Sequence, residues 1–327
     1  MTTPVARLTG AVWGMFVGDA YCLGSHWIYD ETAFRTRFPD GPAGFDVPAA
    51  DHYHAGKPPG GLTHYGDGAL LLLESLAAAG RFEPMDYGER INAVYGVPAP
   101  ASYVDKPTRH LVERRRAGNA EAAYAEGAAA DDAQNVTTSR LAPLVVRYAG
   151  APELMLHVDR ATRVLQENDR AVAYACAHAR LLTELLAGAA LPQALDRVAA
   201  SADPRTPLGK ELRELIAAAR EAESEDVDEV TGRFGRSCPL VKAFPASLHN
   251  ALAHRDDFAA AIRTCGAARG DNASRAMLIG SWLGAIHGID AVPPAWRERL
   301  VDRDRIDAAL ARLLATAATP ERVGALH

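Results

Sequence analysis

The sequence predicts an all-α protein with one domain. Alanine and leucine dominate it, and runs of β-branched residues are scarce. Long stretches place apolar residues at helical spacing, and no repeat, low-complexity tail or linker divides the chain. Hydrophobic residues make up 48% and charged residues 23%, which is enough apolar material for a sizeable core. We therefore expect a single domain over residues 1–327.

Charge and cysteine content narrow the class of protein. Thirty-five Lys and Arg stand against 41 Asp and Glu, for a net charge of −6, and no basic stripe is visible. This pattern argues against a nucleic-acid or membrane-surface partner. No apolar run reaches the roughly 20 residues of a membrane-spanning helix. The four cysteines form no C-x-x-C pair, so we expect reduced thiols and a cytoplasmic protein.

The first predicted helix runs from Val5 to about Cys22. Gly10, Gly14 and Gly18 lie four apart along one side, which indicates very close packing against another helix. Asp19 shares a face with apolar residues of the same helix. A buried carboxylate is costly unless it meets a cation, a metal or several donors. Asp19 is therefore either the cap of a neighbouring helix or part of a site.

Residues 24–66 are rich in glycine, proline, aromatic residues and histidine, and they show no sustained period. A loop of this length in a compact protein is typical of a functional loop. It contains His26, His52, His54 and His64, but no pair has the spacing of a zinc motif. We favour histidines that contact a ligand or pack the loop. Asp67 then precedes a predicted helix over Gly68–Ala79, where the helix dipole favours an acid.

Further helices are predicted near residues 83–96, 153–166, 169–187, 191–200, 205–222, 240–254, 257–268 and 304–316, with another after Pro107. The stretch Asn135 to Tyr148 begins with small polar residues and then turns apolar. Pro143 within it predicts either a kink or the start of the helix proper.

The stretch Arg269–Arg275 (RGDNASR) precedes an apolar segment with helical spacing. Asp271 and Ser274 stand three apart, as at a helix N-terminus. The stretch is either an ordinary helix cap or part of a functional site. Three other polar clusters resemble it because each adjoins the end of an apolar helix: Gly18-Asp19, His64–Asp67 and Asn135–Arg140. Helix N-termini that point into one cleft would bind an anion or a divalent cation.

The order of these clusters resembles the ADP-ribosylglycohydrolases. LTGAVWGMFVGDAYCLG resembles the family's G-x-x-x-G-D-A-x-G segment, and THYGDGALLLLESL resembles its T-D-D-[ST] motif with the following helix. NVTTSRLAPL is similar to N-G-x-x-M-R-x-A-P-L, and RGDNASRAMLIGSWLGAIHGIDAVPPAW to G-G-D-T-D-T with its small-residue helix. The resemblance implies a single-domain orthogonal helical bundle. It also implies two magnesium ions that orient the terminal ribose of ADP-ribose, so that its bond to a modified side chain is hydrolysed.

The resemblance assigns metal-ligand positions to Thr63 and Asp271, with Ser274 in place of the last threonine. The chain departs from the family pattern at three ligand positions. His64 and Tyr65 stand where two aspartates belong, and Ala273 replaces a third. Magnesium prefers hard oxygen ligands. We therefore expect one Mg²⁺ or none, with Asp271, Thr63 and Asp67 as candidate ligands.

Two functions follow from the resemblance. The first is hydrolysis of an ADP-ribosyl or related ribosyl linkage in a small-molecule or protein-linked substrate. Asp67 or Asp30 would act as general base, and His26 or His64 on the leaving side. The candidate ligand-binding residues are Asp19, Trp27, Tyr65, Gly66, Asn135, Arg140, Asn272, Ser274 and Arg275. Arg140 faces the diphosphate or forms a buried ion pair. The alternative function is non-catalytic: a nucleotide-binding or structural protein similar to the jellyfish lens crystallins, which belong to a divergent branch with HWIYD, THYGD and GDNASR.

Overall fold

The computed structural model describes residues 2–124 and 127–316 of the chain. Its helices are α1 Pro4–Cys22, α2 Glu31–Arg37, α3 His64–Ala79, α4 Pro84–Tyr95, α5 Lys106–Ala117, α6 Ala120–Ala123, α7 Ala142–Arg147, α8 Leu154–Arg163, α9 Asp169–Leu186, α10 Leu191–Ser201, α11 Pro207–Glu221, α12 Val227–Phe234, α13 Leu240–Ala253, α14 Phe258–Ala267, α15 Asn272–His287, α16 Pro294–Arg297 and α17 Arg303–Thr316. Short 3₁₀ helices lie at Leu23–Ser25, Thr138–Arg140 and Ile289–Ala291. The described residues contain two isolated β-bridges and no strand, so the prediction of an all-α fold is confirmed.

Helices α1 and α15 form the centre of the fold as a close antiparallel pair. A Cβ added at Gly10, Gly14 or Gly18 would overlap the backbone carbonyl oxygen of Gly284, Gly280 or Ala276, respectively. The three glycines therefore let the two backbones touch, as their spacing predicted. The antiparallel register also places the end of α1, with Asp19, beside the start of α15, with Asp271. This pairing brings two of the predicted clusters to one end of the bundle.

The other helices enclose this pair. α9, α13 and α14 pack against α15, while α3 and α7 pack against α1, and α17 covers α3. Residues 272–285 of α15 are buried on every side. No helix of the described residues is both long enough and apolar enough to cross a membrane.

The segment predicted as a loop over residues 24–66 differs from that prediction in two places. It contains the short helix α2, because the Asp30 carboxylate caps it by accepting the Ala33 N–H at 2.7 Å. At the other end, α3 begins at His64 and not at Gly68. Thr63 is its cap, with a hydroxyl that accepts the Tyr65 N–H at 3.1 Å. Asp67 therefore lies within the first turns of α3 and does not cap it.

Candidate functional site

The Asp19 carboxylate joins the end of α1 to the start of α3. It is fully buried and accepts the Thr63 N–H at 2.7 Å and the Thr63 hydroxyl at 2.5 Å. Burial raises the pKa of Asp19 to about 7, although the Thr63 hydrogen bonds oppose that shift. A Cβ at Gly66 would overlap the same carboxylate, so the glycine makes room for it. Asp19, Thr63 and Gly66 thus fix where α3 begins.

Asp271 stands at the N-cap position of α15, but its side chain makes no capping hydrogen bond. Its Oδ2 accepts hydrogen bonds from the Ser274 hydroxyl at 2.9 Å and the Tyr65 hydroxyl at 3.3 Å. Asn135 extends this network, since its Nδ2 donates to Ser274 Oγ at 3.1 Å. Burial raises the pKa of Asp271 to about 6, and the Arg275 charge opposes the shift. Residues from three of the predicted clusters therefore meet at this carboxylate.

Three histidines from separate segments lie close together, and one of them, His26, lies beside Asp271. His26 follows the first 3₁₀ helix, His54 lies in the loop before α3, and His64 is the first residue of α3. All three are at most 1% exposed, and one ring nitrogen from each lies within 4.8 Å of the other two. Burial lowers the pKa of His54 to about 3, and it lowers the pKa values of His26 and His64 well below the ordinary value. The three rings are therefore neutral at pH 7.

Aromatic rings cover the histidines from outside. Trp27 has a positive φ of 57°, which is rare for a bulky residue. Its N–H donates to the Gly270 carbonyl at 2.7 Å, which fixes the residue beside the start of α15. The Trp27 ring stacks on His26 with centroids 4.4 Å apart. The rings of Tyr53 and Tyr103 meet the Trp27 ring edge-on, with centroid distances of 5.3 Å and 4.8 Å. We call Trp27, Tyr53 and Tyr103 together the aromatic mouth.

Several polar atoms at this place are buried without a hydrogen-bond partner. They are His26 Nε2, His54 Nδ1, His64 Nε2, Asn135 Oδ1 and Asp271 Oδ1. An unpaired polar atom in a protein interior costs about 1–3 kcal/mol. Of these atoms, His26 Nε2 and Asp271 Oδ1 face each other at 3.6 Å, while His64 Nε2 lies 3.9 Å from Asp105 Oδ2. The facing pair marks a site that a ligand, a water or an ion would complete.

The structure does not bring either predicted general base into this cluster. The Asp67 carboxylate ion-pairs with Lys57 at 2.5 Å, and both line a cavity of about 500 Å³ with Asp302 and Arg305. Asp30 is exposed and serves as the cap of α2. The sequence places Asp67 at the cap of α3 because it predicts a helix that starts four residues too late, at Gly68 and not at His64.

Three predicted ligand-binding residues instead hold the framework together. The buried Arg140 guanidinium donates to Asp105 Oδ2 at 3.1 Å and to the His64 carbonyl at 3.0 Å, so the ion-pair alternative describes its contacts. Arg275 donates to the carbonyls of Arg236 and Arg269. The Asn272 amide donates to both oxygens of Ser25 and to the Gly266 carbonyl. None of these three side chains is free to point at a substrate.

His54, Tyr53 and Tyr103 were not singled out from the sequence as site residues. The density of histidine and aromatic residues in 24–66 indicated a functional loop, but it could not show which of them meet. His52 has a supporting role: its Nε2 lies 2.6 Å from the His26 carbonyl, and its Nδ1 accepts the His54 N–H at 3.0 Å. It thereby ties two of the clustered histidines together.

Comparison with known proteins now settles the family. The family model described as ADP-ribosylglycohydrolase matches residues 1–323. The chain belongs to the ADP-ribosylglycohydrolase family. It is similar to crystallins J1A and J1B of Tripedalia cystophora, each 26% identical over 90% of this chain and 91% of the relative. A solved structure titled "ADP-ribosylglycohydrolase-related protein complex" is 25% identical, with a TM-score of 0.69 over 97% of this chain and all of the other.

The described residues do not fit the pair of magnesium ions that the family implies. Mg²⁺ needs near-octahedral oxygen ligands. Both oxygens of Asp19 and the hydroxyl of Thr63 are engaged with each other, and Asp67 is turned toward Lys57. Asp271 Oδ1 is the carboxylate oxygen of this group that has no partner. The nearest charged or titratable neighbour given for that oxygen is a nitrogen, His26 Nε2 at 3.6 Å, where further oxygens would be needed.

Proposed function

We propose that this protein hydrolyses an ADP-ribosyl or related ribosyl glycosidic linkage without a two-magnesium site. One observation carries the proposal: the partnerless atoms His26 Nε2 and Asp271 Oδ1 are buried 3.6 Å apart at the start of α15, and Asn135, with its own partnerless Oδ1, is joined to Asp271 through Ser274. A protein that only packed this region could fill it with apolar side chains at lower cost.

The groups can be assigned roles from their contacts. Asp271 Oδ1 would accept the proton of a water molecule while Ser274 and Tyr65 hold its other oxygen. The water oxygen would add to C1 of the ribose, and the glycosidic bond to the leaving side chain would break. His26 Nε2, 3.6 Å from Asp271 Oδ1, would receive this proton from Asp271 and pass it to the leaving side chain. Asn135 Oδ1 would accept from a ribose hydroxyl.

The aromatic mouth suits the other end of such a substrate. Trp27, Tyr53 and Tyr103 offer flat apolar faces on which a purine base can stack. Tyr53 is 69% exposed, so this surface is reachable from solvent. The Trp27 side chain must move aside for ribose to reach Asp271, because its ring lies directly on His26.

The position of Trp27 over the polar cluster favours a second candidate function. In the described conformation Trp27 seals the polar cluster, and the curated relatives at 26% identity are named crystallins. A non-catalytic protein of this fold, which binds a nucleotide or serves as a structural protein, is consistent with both observations.

The test is an assay of ADP-ribose release from ADP-ribosyl-arginine, ADP-ribosyl-serine and O-acetyl-ADP-ribose. We expect release from at least one substrate, with no increase when magnesium is added. Asp271→Asn should lower the rate by about 10²–10⁴-fold, the usual contribution of a general base. Asp30→Asn is the matched control, since that carboxylate only caps α2, and it should keep its rate. Absence of release from every substrate, together with measurable ADP-ribose binding, would establish the non-catalytic function.

A further inference from the structure

The three clustered histidines lie close to the spacing of ligands to a single metal ion, and Asp271 faces one of them, His26. In a tetrahedral site with bonds of about 2.0–2.1 Å, two ligand atoms lie about 3.4 Å apart. His64 Nδ1 and His54 Nε2 are separated by 3.4 Å, and His26 Nε2 and Asp271 Oδ1 by 3.6 Å. Both separations already match that value. One nitrogen of each ring lies within 4.8 Å of the other two, so closure of at most about 1.4 Å would bring the three histidines to this spacing, with Asp271 adjoining them through His26.

The surroundings of His26 indicate where a cation would bind. The Asn272 amide nitrogen is fixed by Ser25 and Gly266, which turns Asn272 Oδ1 toward His26 Nδ1 at 3.3 Å. An amide oxygen accepts, so the favourable arrangement has the proton on Nδ1. The lone pair of Nε2 then faces the Asp271 carboxylate with no hydrogen between them.

The other neutral tautomer of His26 does not give both ring nitrogens a hydrogen-bond partner either. With the proton on Nε2, the Nδ1 lone pair accepts from the Ala273 N–H at 3.4 Å but also faces the Asn272 oxygen. The Nε2 proton would lie toward Asp271 Oδ1 at 3.6 Å, beyond hydrogen-bond distance. A cation between Nε2 and Oδ1 satisfies both ends of the ring at once. A second proton on the ring would also fill the gap, but it would not involve the neighbouring His54 Nε2 and His64 Nδ1, which lie 3.4 Å apart.

Supporting contacts orient the proposed ligands, as in known metal sites. Asn272 would orient His26, His52 would hold His26 and His54 together, and Tyr65 and Ser274 would orient Asp271. Tyr65 lies in the first turn of α3, Asn272 and Ser274 lie in the first turn of α15, and His52 lies in the loop before α3.

We infer that His26, His54, His64 and Asp271 form a site for one divalent transition-metal ion, of the chemical class of Zn²⁺ and Co²⁺. Three imidazoles and one carboxylate are a donor set that suits these ions and not Mg²⁺. The inference does not depend on the proposed hydrolysis, because a metal can bind here whether or not a substrate is turned over. An ion bound to Asp271 Oδ1 and His26 Nε2 would occupy the atoms that the hydrolysis uses, so the general-base route described above belongs to the metal-free protein.

Metal binding to the full chain tests the inference. The protein is stripped with a chelator and titrated with Co²⁺ and then Zn²⁺. We expect one ion per chain, the visible absorption of tetrahedral Co²⁺, and loss of that absorption when Zn²⁺ displaces it. Trp27 lies on the His26 ring, so Co²⁺ should also quench tryptophan fluorescence, and Trp27→Phe should abolish most of that quenching.

Two ligand variants and one control decide the assignment. His54→Asn and Asp271→Asn should each weaken Co²⁺ binding by more than about 100-fold, beyond the effect typical of an outer-shell partner. His110→Asn, on α5 with its ring at the Ala128 carbonyl, should bind like the parent chain. Thermal unfolding without metal checks that each variant folds. If His54→Asn does not fold, the assignment is decided by Asp271→Asn, in which the new side chain has nearly the same shape as the old one. Equal binding by the parent and both ligand variants, binding of Mg²⁺ alone, or no binding at micromolar Co²⁺ or Zn²⁺ would overturn the inference.

Discussion

At the scale of single residues, buried charges in this chain act mainly by joining elements. Asp19 accepts two hydrogen bonds from Thr63 and so ties α1 to α3. Asp105 does the same between segments: its Oδ1 caps α5 through the Thr108 N–H, while its Oδ2 binds Arg140. A buried charge of this kind is stable only while its partner is present.

Arg140 offers the clearest test at this scale. Arg140→Met should lower the free energy of unfolding by about 3–5 kcal/mol, because it leaves the Asp105 carboxylate buried without a counter-charge. Adding Asp105→Asn should restore most of the loss, since the asparagine oxygen can still cap α5. Urea unfolding measures both changes. A loss below about 1 kcal/mol, accompanied by weaker ADP-ribose binding, would instead return Arg140 to the diphosphate role.

At the scale of elements, the close contact of α1 with α15 determines where the site lies. Because the glycines of α1 let the two backbones touch, the register of the pair places His26 and Asp271 at one end. A shift of either helix would move the histidine and the carboxylate apart. Packing of two apolar helices therefore controls a polar site beyond their ends.

Gly14→Ala tests this contact. The added methyl group would overlap the Gly280 carbonyl oxygen, which belongs to backbone and cannot rotate away. We expect the free energy of unfolding to fall by about 2 kcal/mol or more, as in other overpacked cores. Gly118→Ala is the control: its φ is −150°, and the nearest atom to an added Cβ is 3.7 Å away. It should change the free energy by less than about 0.5 kcal/mol. Similar losses in both variants would contradict the packing argument.

The elements also show what could be predicted from the sequence. Helical periodicity and the glycine spacing are local signals, so the all-α fold and the close helix contact were predicted from them. The start of α3 was predicted too late, since THYGD reads as loop until Asp19 of another helix fixes Thr63. The cluster of His26, His54 and His64 was not predicted. Its members come from three segments, and their proximity depends on how the loop folds and on no spacing in the sequence.

At the scale of the whole molecule, the buried apolar residues form one continuous cluster that extends from Ala11 in α1 to Leu313 in α17. From a single core we expect a single cooperative unfolding transition, and observing one would test the expectation of one domain. Buried groups anywhere in this core then report on global unfolding. His178 in α9 is such a group. Its Nδ1 accepts the Trp282 indole N–H at 3.0 Å in the middle of α15.

The pH dependence of unfolding follows from His178. Burial lowers its pKa to about 3 in the folded state, whereas an unfolded histidine has a pKa of about 6.5. The unfolded chain therefore binds this proton first, so the stability from neutral His178 is complete above pH 6.5 and is lost as the pH falls toward 3. Between pH 8 and pH 5 the free energy of unfolding contributed by His178 should fall by about 2 kcal/mol.

His178→Gln keeps an acceptor for Trp282 but cannot titrate. Urea unfolding at both pH values should show a decline smaller by about 2 kcal/mol in the variant than in the parent chain. If the two declines are equal, His178 is not held neutral by the core.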